Sequence, residues 1–263
     1  MFKLISINIE DEKHIDRVLD FIHREKPDVL CLQELLERDV PIFEKALDAR
    51  SIFAPMGVLP PADSQEIIGV GIFSLFPLHD VRSHYYAQYS DHPRIWHDEI
   101  TDPTNRVLLS AKITVDGIPY TVATTHFTWT PGGEASPRQR RDLSALLTIL
   151  SEYDEILFCG DMNAPRGKET FDAIAERYQD HIPPQYLTSL DPEFHRTKGE
   201  EHLMVDGLFS TPHYEVEGVR LQSGISDHMV IVATIGTSAS IGPALTFRHI
   251  EAPLTPQRHE TYH

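Results

Sequence analysis

The sequence predicts an α/β protein built from two packed β-sheets flanked by helices. Three observations carry that reading. Strand and helix patterns alternate at the start of each half, in the loose order β-α-β-α-β followed by a β-rich stretch. The middle of the chain is a succession of strands separated by turn signals. Of the 263 residues, 41% are hydrophobic, enough for a real core in a chain whose length suits one large domain or two small ones.

The elements follow in order. Residues 2–9 read as a strand. Ile15, Val18, Leu19 and Ile22 then recur at helical spacing as one apolar stripe, and Pro27 ends that helix because a proline pushes its predecessor out of the α region. Val29-Leu30-Cys31-Leu32 is the short apolar run of a buried central strand. A helix is expected over 38–49 and a short strand over 51–54. Strands follow over 67–75, 78–87, 106–115 and 118–126, the last two joined by the hairpin signal Asp116-Gly117. Residues 88–105 read as a polar loop carrying His92, Trp96 and His97.

Ser136, Pro137 and Gln139 mark a helix start with a Ser-x-x-Gln capping box, and Leu143, Leu146, Leu147 and Leu150 supply its apolar stripe. A strand over 155–160 leads to a helix with Phe171, Ile174, Ala175 and Tyr178 in register. Strands near 203–209, 214–222 and 229–235 finish the body. Residues 1–235 therefore read as one domain. Residues 236–263 change to Gly, Ser and Pro and then to His and charged residues, the pattern of a C-terminal tail lying on the surface or on a neighbouring subunit.

Charge narrows the function. With 23 Lys+Arg against 40 Asp+Glu the net charge is −17, which opposes broad attraction to nucleic-acid phosphates. A nuclease remains open, because a bound divalent cation reverses the local field. No apolar run approaches the roughly 20 residues that a bilayer requires. The start, MFKLISINIE, lacks the pattern of a secretory leader, since Asn8 and Glu10 interrupt its apolar stretch. Cys31 and Cys159, the two cysteines, each sit inside an apolar run and read as buried strand residues. A soluble, cytoplasmic protein without disulfides is expected.

Chemistry-bearing residues gather at the ends of greasy strands. Asn8 and Glu10 close FKLISI, Gln33-Glu34 closes DVLCL, and His126 closes YTVATT. Gly160-Asp161-Met162-Asn163 closes EILFC, Asp206 interrupts HLMV–GLF, and Ser226-Asp227-His228 opens MVIVATI. Singly, each has an ordinary reading: Glu34 a surface carboxylate, Asp161-Asn163 an Asx turn, His126 a structural histidine. Together they are explained most simply by one shared solvent-filled cleft, because ionisable groups buried without partners are costly.

These segments resemble the endonuclease/exonuclease/phosphatase superfamily of DNase I-like, metal-dependent phosphoesterases. The matching stretches are Ser6-Ile7-Asn8, Leu32-Gln33-Glu34, Gly69-Val70-Gly71-Ile72-Phe73-Ser74 with Pro77, and Thr125-His126-Phe127. They continue with Gly160-Asp161-Met162-Asn163-Ala164, Val205-Asp206-Gly207-Leu208-Phe209 and Ser226-Asp227-His228. They span residues 6 to 228 and none of the tail. The resemblance implies a four-layer α/β sandwich of two packed mixed sheets flanked by helices, and a Mg²⁺ or Mn²⁺ site. Glu34 would be the principal metal ligand, with Asn8, Glu10 and Asp227 near the ion or the phosphate. Asp161 would orient or deprotonate the attacking water, and Asn163 would hold that water or the phosphate. His228, aligned by Asp206, and His126 would donate to the phosphoryl oxygens. Glu10 departs from the aspartate that several relatives carry two residues after the asparagine.

Two aromatic residues just past His126, Phe127 and Trp129, lie in a Gly-rich stretch suited to stacking on a ring or covering an acyl chain of the substrate, or simply to capping the sandwich. Arg138, with Arg140 and Arg141, is either a surface residue or reaches a substrate phosphate. The expected activity is hydrolysis of a phosphodiester or phosphomonoester by in-line attack of an activated water. The acidic balance favours a small-molecule or lipid-headgroup phosphoester as partner. The alternative is a nuclease or a nucleic-acid end-processing phosphodiesterase.

Overall fold

The computed structural model describes residues 1–59, 66–88, 94–95 and 104–237. Its layering follows from side-chain alternation along strands that are apolar on both faces. On β1 (Phe2–Asn8), Leu4 faces the other sheet while Ile5 and Ile7 face helices. On β2 (Val29–Leu36), Val29 and Cys31 point inward and Leu30 and Leu32 outward. The second sheet repeats the arrangement. Val122 of β8 (Ile118–His126) and Leu157 and Cys159 of β9 (Leu157–Asp161) face the middle, while Ala123 and Phe158 face helices.

The first sheet has seven strands in the order β12-β13-β1-β2-β4-β3-β6. Its remaining members are β3 (Arg50–Val58), β4 (Ile67–Ser74), β6 (Arg94–Ile95), β12 (Tyr214–Gln222) and β13 (Val230–Thr237). The second has six, in the order β10-β11-β9-β8-β7-β5, adding β5 (His79–Ala87), β7 (Arg106–Val115), β10 (Gln179–Asp180) and β11 (Asp206–Ser210). Helices α1 (Ile15–Glu25) and α2 (Val40–Leu47) cover the first sheet through Val18, Phe21, Ile22 and Phe43. Helices α3 (Pro137–Leu150) and α4 (Glu169–Ala175) cover the second through Leu143, Leu146, Leu150, Phe171 and Ile174. The expected four-layer sandwich is therefore the fold.

Most sheet neighbours are antiparallel, but each sheet has a parallel pair at its centre. β1 runs parallel to β2 with Asn8 opposite Gln33, and β8 runs parallel to β9 with His126 opposite Asp161. Tyr214 links the sheets. Its hydroxyl accepts from the Thr121 backbone N–H at 2.9 Å and donates to the Thr121 carbonyl at 3.1 Å, where β9 has not yet begun.

Local details depart from the sequence reading for identifiable reasons. The strand expected at 29–32 continues to Leu36 through a bulge. The helix expected at 38–49 begins as a 3-10 turn over Glu37–Asp39 and becomes α-helical at Val40. α4 stops at Ala175, so Tyr178 packs on Phe158 from the following turn. The strand near 203–209 starts only at Asp206, because Val205 and Met204 accept from the Met162 and Arg166 amides outside the ladder. Ser136 caps α3 by accepting from Gln139 N, but the Gln139 side chain does not close the box. It is buried, donating to the Thr128 carbonyl and accepting from the Thr170 hydroxyl, and so ties α4 to the loop after β8. His92, Trp96 and His97, and the expected tail from residue 238 onward, lie outside the described residues.

Candidate active site

Followed along the central strands, the space between the sheets changes from apolar to polar in one direction. Inward-facing positions alternate, so the residue two beyond each inward apolar side chain also points inward. On β1 this gives Leu4, Ser6 and Asn8; on β8, Val122, Thr124 and His126; on β9, Leu157, Cys159 and Asp161. Beneath the site, the buried Gln33 amide donates to Thr124 Oγ1 at 2.9 Å and Ser6 Oγ at 3.3 Å, bridging the sheets. Because the parallel pairs end at the same edge, their polar carboxyl ends open into one cavity of about 270 Å³.

Glu34 needs a special device to reach that cavity. Gln33 points inward, so regular alternation would send Glu34 outward. The β2–β4 register slips between Leu32 and Leu35, and Glu34 adopts φ +54°, which turns its side chain back to the site. Gly160 serves a different need at the neighbouring strand. Its φ is +139°, and a Cβ there would lie 1.9 Å from the Thr125 carbonyl oxygen, so only glycine lets β9 approach β8 directly before Asp161.

The side chains converge on Asp161. Its Oδ1 accepts from the Asn163 backbone at 2.8 Å, an Asx turn, and its Oδ2 accepts from Asn8 Nδ2 at 3.3 Å. His126 Nε2 is 3.5 Å and His228 Nε2 3.8 Å from the same oxygen. Asn8 Nδ2 also donates to Glu34 Oε1 at 3.0 Å, and His126 Nε2 lies 3.9 Å from that oxygen. His228 Nδ1 is 2.7 Å from Asp206 Oδ2. Asn163 lines the cavity while its own amide donates to the Phe127 carbonyl at 3.0 Å.

Electrostatics separates the roles. Burial, followed by the nearby Asp227 charge, pushes the Glu34 carboxyl up to about 7. Burial likewise pushes Asp161 up to about 6, against the pull of His228. Burial opposes charging of His228, but Asp206, Asp161 and Asp227 together outweigh it and hold its pKa well above the ordinary histidine range. Burial and the Arg106 and His228 charges hold His126 well below that range. One imidazole is thus a cation and the other a neutral group.

A divalent cation fits this donor set. Asp161, Asp206 and His228 place ligand atoms within 4.8 Å of one another, and so do Glu10, His14 and Asp227. The donors are mainly hard carboxylate oxygens, of the kind such a cation prefers. Glu10 is already engaged, its Oε1 2.6 Å from Lys13 Nζ and its Oε2 3.1 Å from His14 Nε2.

The candidate substrate residues divide. Trp129 lines the cavity, with the Arg196 guanidinium 5.9 Å from its ring centroid. Phe127 is fully buried and stacks on Tyr86, so it caps the sandwich instead of contacting a ligand. Arg138 lies 3.8 Å from Asp142 on α3 and does not line the cavity, and Arg140 forms a two-pronged ion pair with Glu169.

Sequence reasoning missed Arg106, Asp191, His195 and Arg196. Arg106, buried at the start of β7, donates to the His126 carbonyl at 3.2 Å, and a charged residue opening the greasy run VLLSA was its signal. Asp191 staples the loop after β10. Its N–H donates to the Asp227 carbonyl at 2.7 Å, while its carboxylate accepts from Glu193, Phe194 and Gly224 amides. His195 and Arg196 then enter the cavity wall. Met56, Leu59 and Ile68 form the facing apolar side.

Comparison with known proteins identifies the family and the fold. The model of the Endonuclease/Exonuclease/phosphatase family matches residues 6–228. The curated proteins include no match to this sequence. Among solved structures, an endonuclease/exonuclease/phosphatase from Bacteroides vulgatus is similar at 17% identity and TM-score 0.70, covering 90% of this chain and 98% of that one. The human Nocturnin catalytic domain, solved with bound sulfate, is similar at 20% identity and TM-score 0.68, covering 90% and 93%. A mannosyl-6-phosphatase from Bacteroides thetaiotaomicron is similar at 12% identity and TM-score 0.65, covering 90% and 100%. At these identities the likenesses show a shared fold.

Proposed function

Because the chain belongs to the endonuclease/exonuclease/phosphatase family, we propose that it is a Mg²⁺- or Mn²⁺-dependent hydrolase that cleaves a phosphoester by in-line attack of water. The observation that carries the reading is the meeting of Asn8, His126 and His228 within 3.8 Å of one Asp161 oxygen, beside Glu34. Glu34 and Asp227, with Asn8, would hold the cation, and Glu10 would act one step removed through its contacts with Lys13 and His14. A cation bound there would neutralise charge on the phosphoryl and leaving oxygens.

The chain's own groups do the rest. Asp161, ionised above about 6, accepts the proton of the attacking water. The His228 imidazolium, fixed by Asp206, donates to a phosphoryl oxygen as its charge grows. His126, neutral, offers a second donor, and Asn163 positions water or phosphate.

The net charge of −17 and the cavity of about 270 Å³ favour a small phosphoester or a lipid headgroup over duplex nucleic acid. A phosphoester panel with Mg²⁺, Mn²⁺ and EDTA tests the activity. Hydrolysis of bis-p-nitrophenyl phosphate that EDTA abolishes and Asp161→Asn removes is expected; equal turnover by wild type and variant refutes it. Binding to nucleic acid that weakens steeply with salt would instead favour the nuclease alternative.

A further inference from the structure

A third imidazole enters the same cavity. His195 is 9% exposed, lines the pocket, and meets the His228 ring edge-on at 6.1 Å between centroids. Its Nδ1 faces Thr197, whose backbone N–H lies 3.3 Å away and whose Oγ1 lies 2.8 Å away. A backbone N–H can only donate, so Nδ1 is an acceptor and the ring proton of the neutral form sits on Nε2. Among the described residues, Nε2 makes no hydrogen bond.

The ring's place is fixed from behind. Asp191 N donates to the Asp227 carbonyl at 2.7 Å, Leu190 bridges to His228, and His195 N donates to the Asp191 carbonyl at 3.1 Å. Backbone hydrogen bonds through Asp191 thus tie His195 to the Ser226-Asp227-His228 segment. The Nε2 edge of the ring is left open to the cavity, where an acceptor oxygen brought by a ligand can take its hydrogen bond.

We propose that His195 is a further catalytic residue, whose Nε2–H donates to an oxygen of the phosphoester bound in this cavity. The inference rests on the phosphoesterase reading and adds to it a donor of a different kind. His228 acts as a cation, whereas His195 contributes as a neutral hydrogen-bond donor whose direction Thr197 sets.

The test uses the full chain with saturating Mn²⁺. It measures kcat and KM for bis-p-nitrophenyl phosphate, Tm, and Kd for Mn²⁺ and for inorganic phosphate by calorimetry. His195→Phe keeps ring packing and loses the Nε2 donor together with the Nδ1 acceptor that faces Thr197; it should lower kcat about 10²-fold and weaken phosphate binding, with the Mn²⁺ Kd unchanged and Tm lowered no more than in His195→Gln. His195→Gln restores an N–H and should recover to within about tenfold of wild type. Should the phenylalanine variant not fold, the comparison passes to His195→Asn against His195→Leu, in which the asparagine variant should be the more active. Equal losses in donor and non-donor variants, or full activity without a donor, overturn the proposal while leaving the phosphoesterase reading intact. A wild-type chain that hydrolyses no phosphoester at all overturns both.

Discussion

Asp206 on β11 and His228, just before β13, face each other across the two sheets with Oδ2 and Nδ1 2.7 Å apart. The contact assigns the Nδ1 proton to the aspartate side and leaves Nε2–H aimed toward Asp161. Asp206→Asn keeps the shape and removes the charge that, with Asp161 and Asp227, outweighs burial at His228. The activity lost when His228 deprotonates should then disappear at lower pH than in the wild type. At neutral pH kcat should fall by about 10²-fold or more. A pH–kcat profile with an unmoved basic limb would refute the pairing's role.

Cation binding should be proton-coupled. Glu34, with its carboxyl near 7, must ionise to act as a ligand, so cation binding at pH 6 releases a proton that binding at pH 8 does not. Below the Glu34 value the Mn²⁺ affinity should weaken by up to about tenfold per pH unit. Calorimetry in buffers of different ionisation enthalpy counts the protons directly, and Glu34→Gln should abolish the dependence.

The same groups set the stability of the metal-free protein. Glu34 and Asp161 have folded-state values raised to about 7 and about 6, so between their unfolded values and these the folded state binds more protons. Stability from these groups is complete below the unfolded carboxylate range and is lost as pH rises through 6 and 7. EDTA-treated protein should therefore lose Tm between pH 5 and 8, and added Mn²⁺ should raise Tm more at pH 8 than at pH 5.5. A larger Mn²⁺ effect at the acidic end would contradict the assignment.

Much of this arrangement was legible, and the reason is alternation. Asn8, His126 and Asp161 each fall two or four residues beyond an inward apolar side chain, so the pattern that marks the strand also marks the face. Glu34 shows where that logic stops. Its residue type and place were readable, but regular alternation aims it away from the site, and only the bulge at φ +54° restores it. Phe127 fails for a related reason: one position after the inward-facing His126, it turns to the helix-covered face. The 186–202 stretch carries no strand or helix period. The wall formed by His195 and Arg196 depends on the Asp191 hydrogen bonds, which join residues far apart in sequence.

Trp129 should act on binding alone. It forms a wall with Arg196 and touches none of the groups around Asp161 in the contacts described. Trp129→Ala should raise KM for aryl phosphodiesters by about 5- to 150-fold, the equivalent of about 1–3 kcal/mol for a stacked ring, and change kcat little. An unchanged KM across a panel of aryl and alkyl esters would remove the wall from the account.

Tyr214→Phe separates stability from chemistry. The hydroxyl satisfies both the N–H and the carbonyl of Thr121 in a buried position that does not line the cavity. Its loss should destabilise the fold by about 1–3 kcal/mol while kcat and KM stay at wild-type values. Denaturant unfolding reads the first and steady-state kinetics the second.

The groups proposed to react sit at strand termini, whereas much of the remaining cavity wall comes from the segments after β8 and after β10, facing Met56, Leu59 and Ile68. On the proposed reading, substitutions confined to those wall segments change which ester fits while leaving the groups around Asp161 in place.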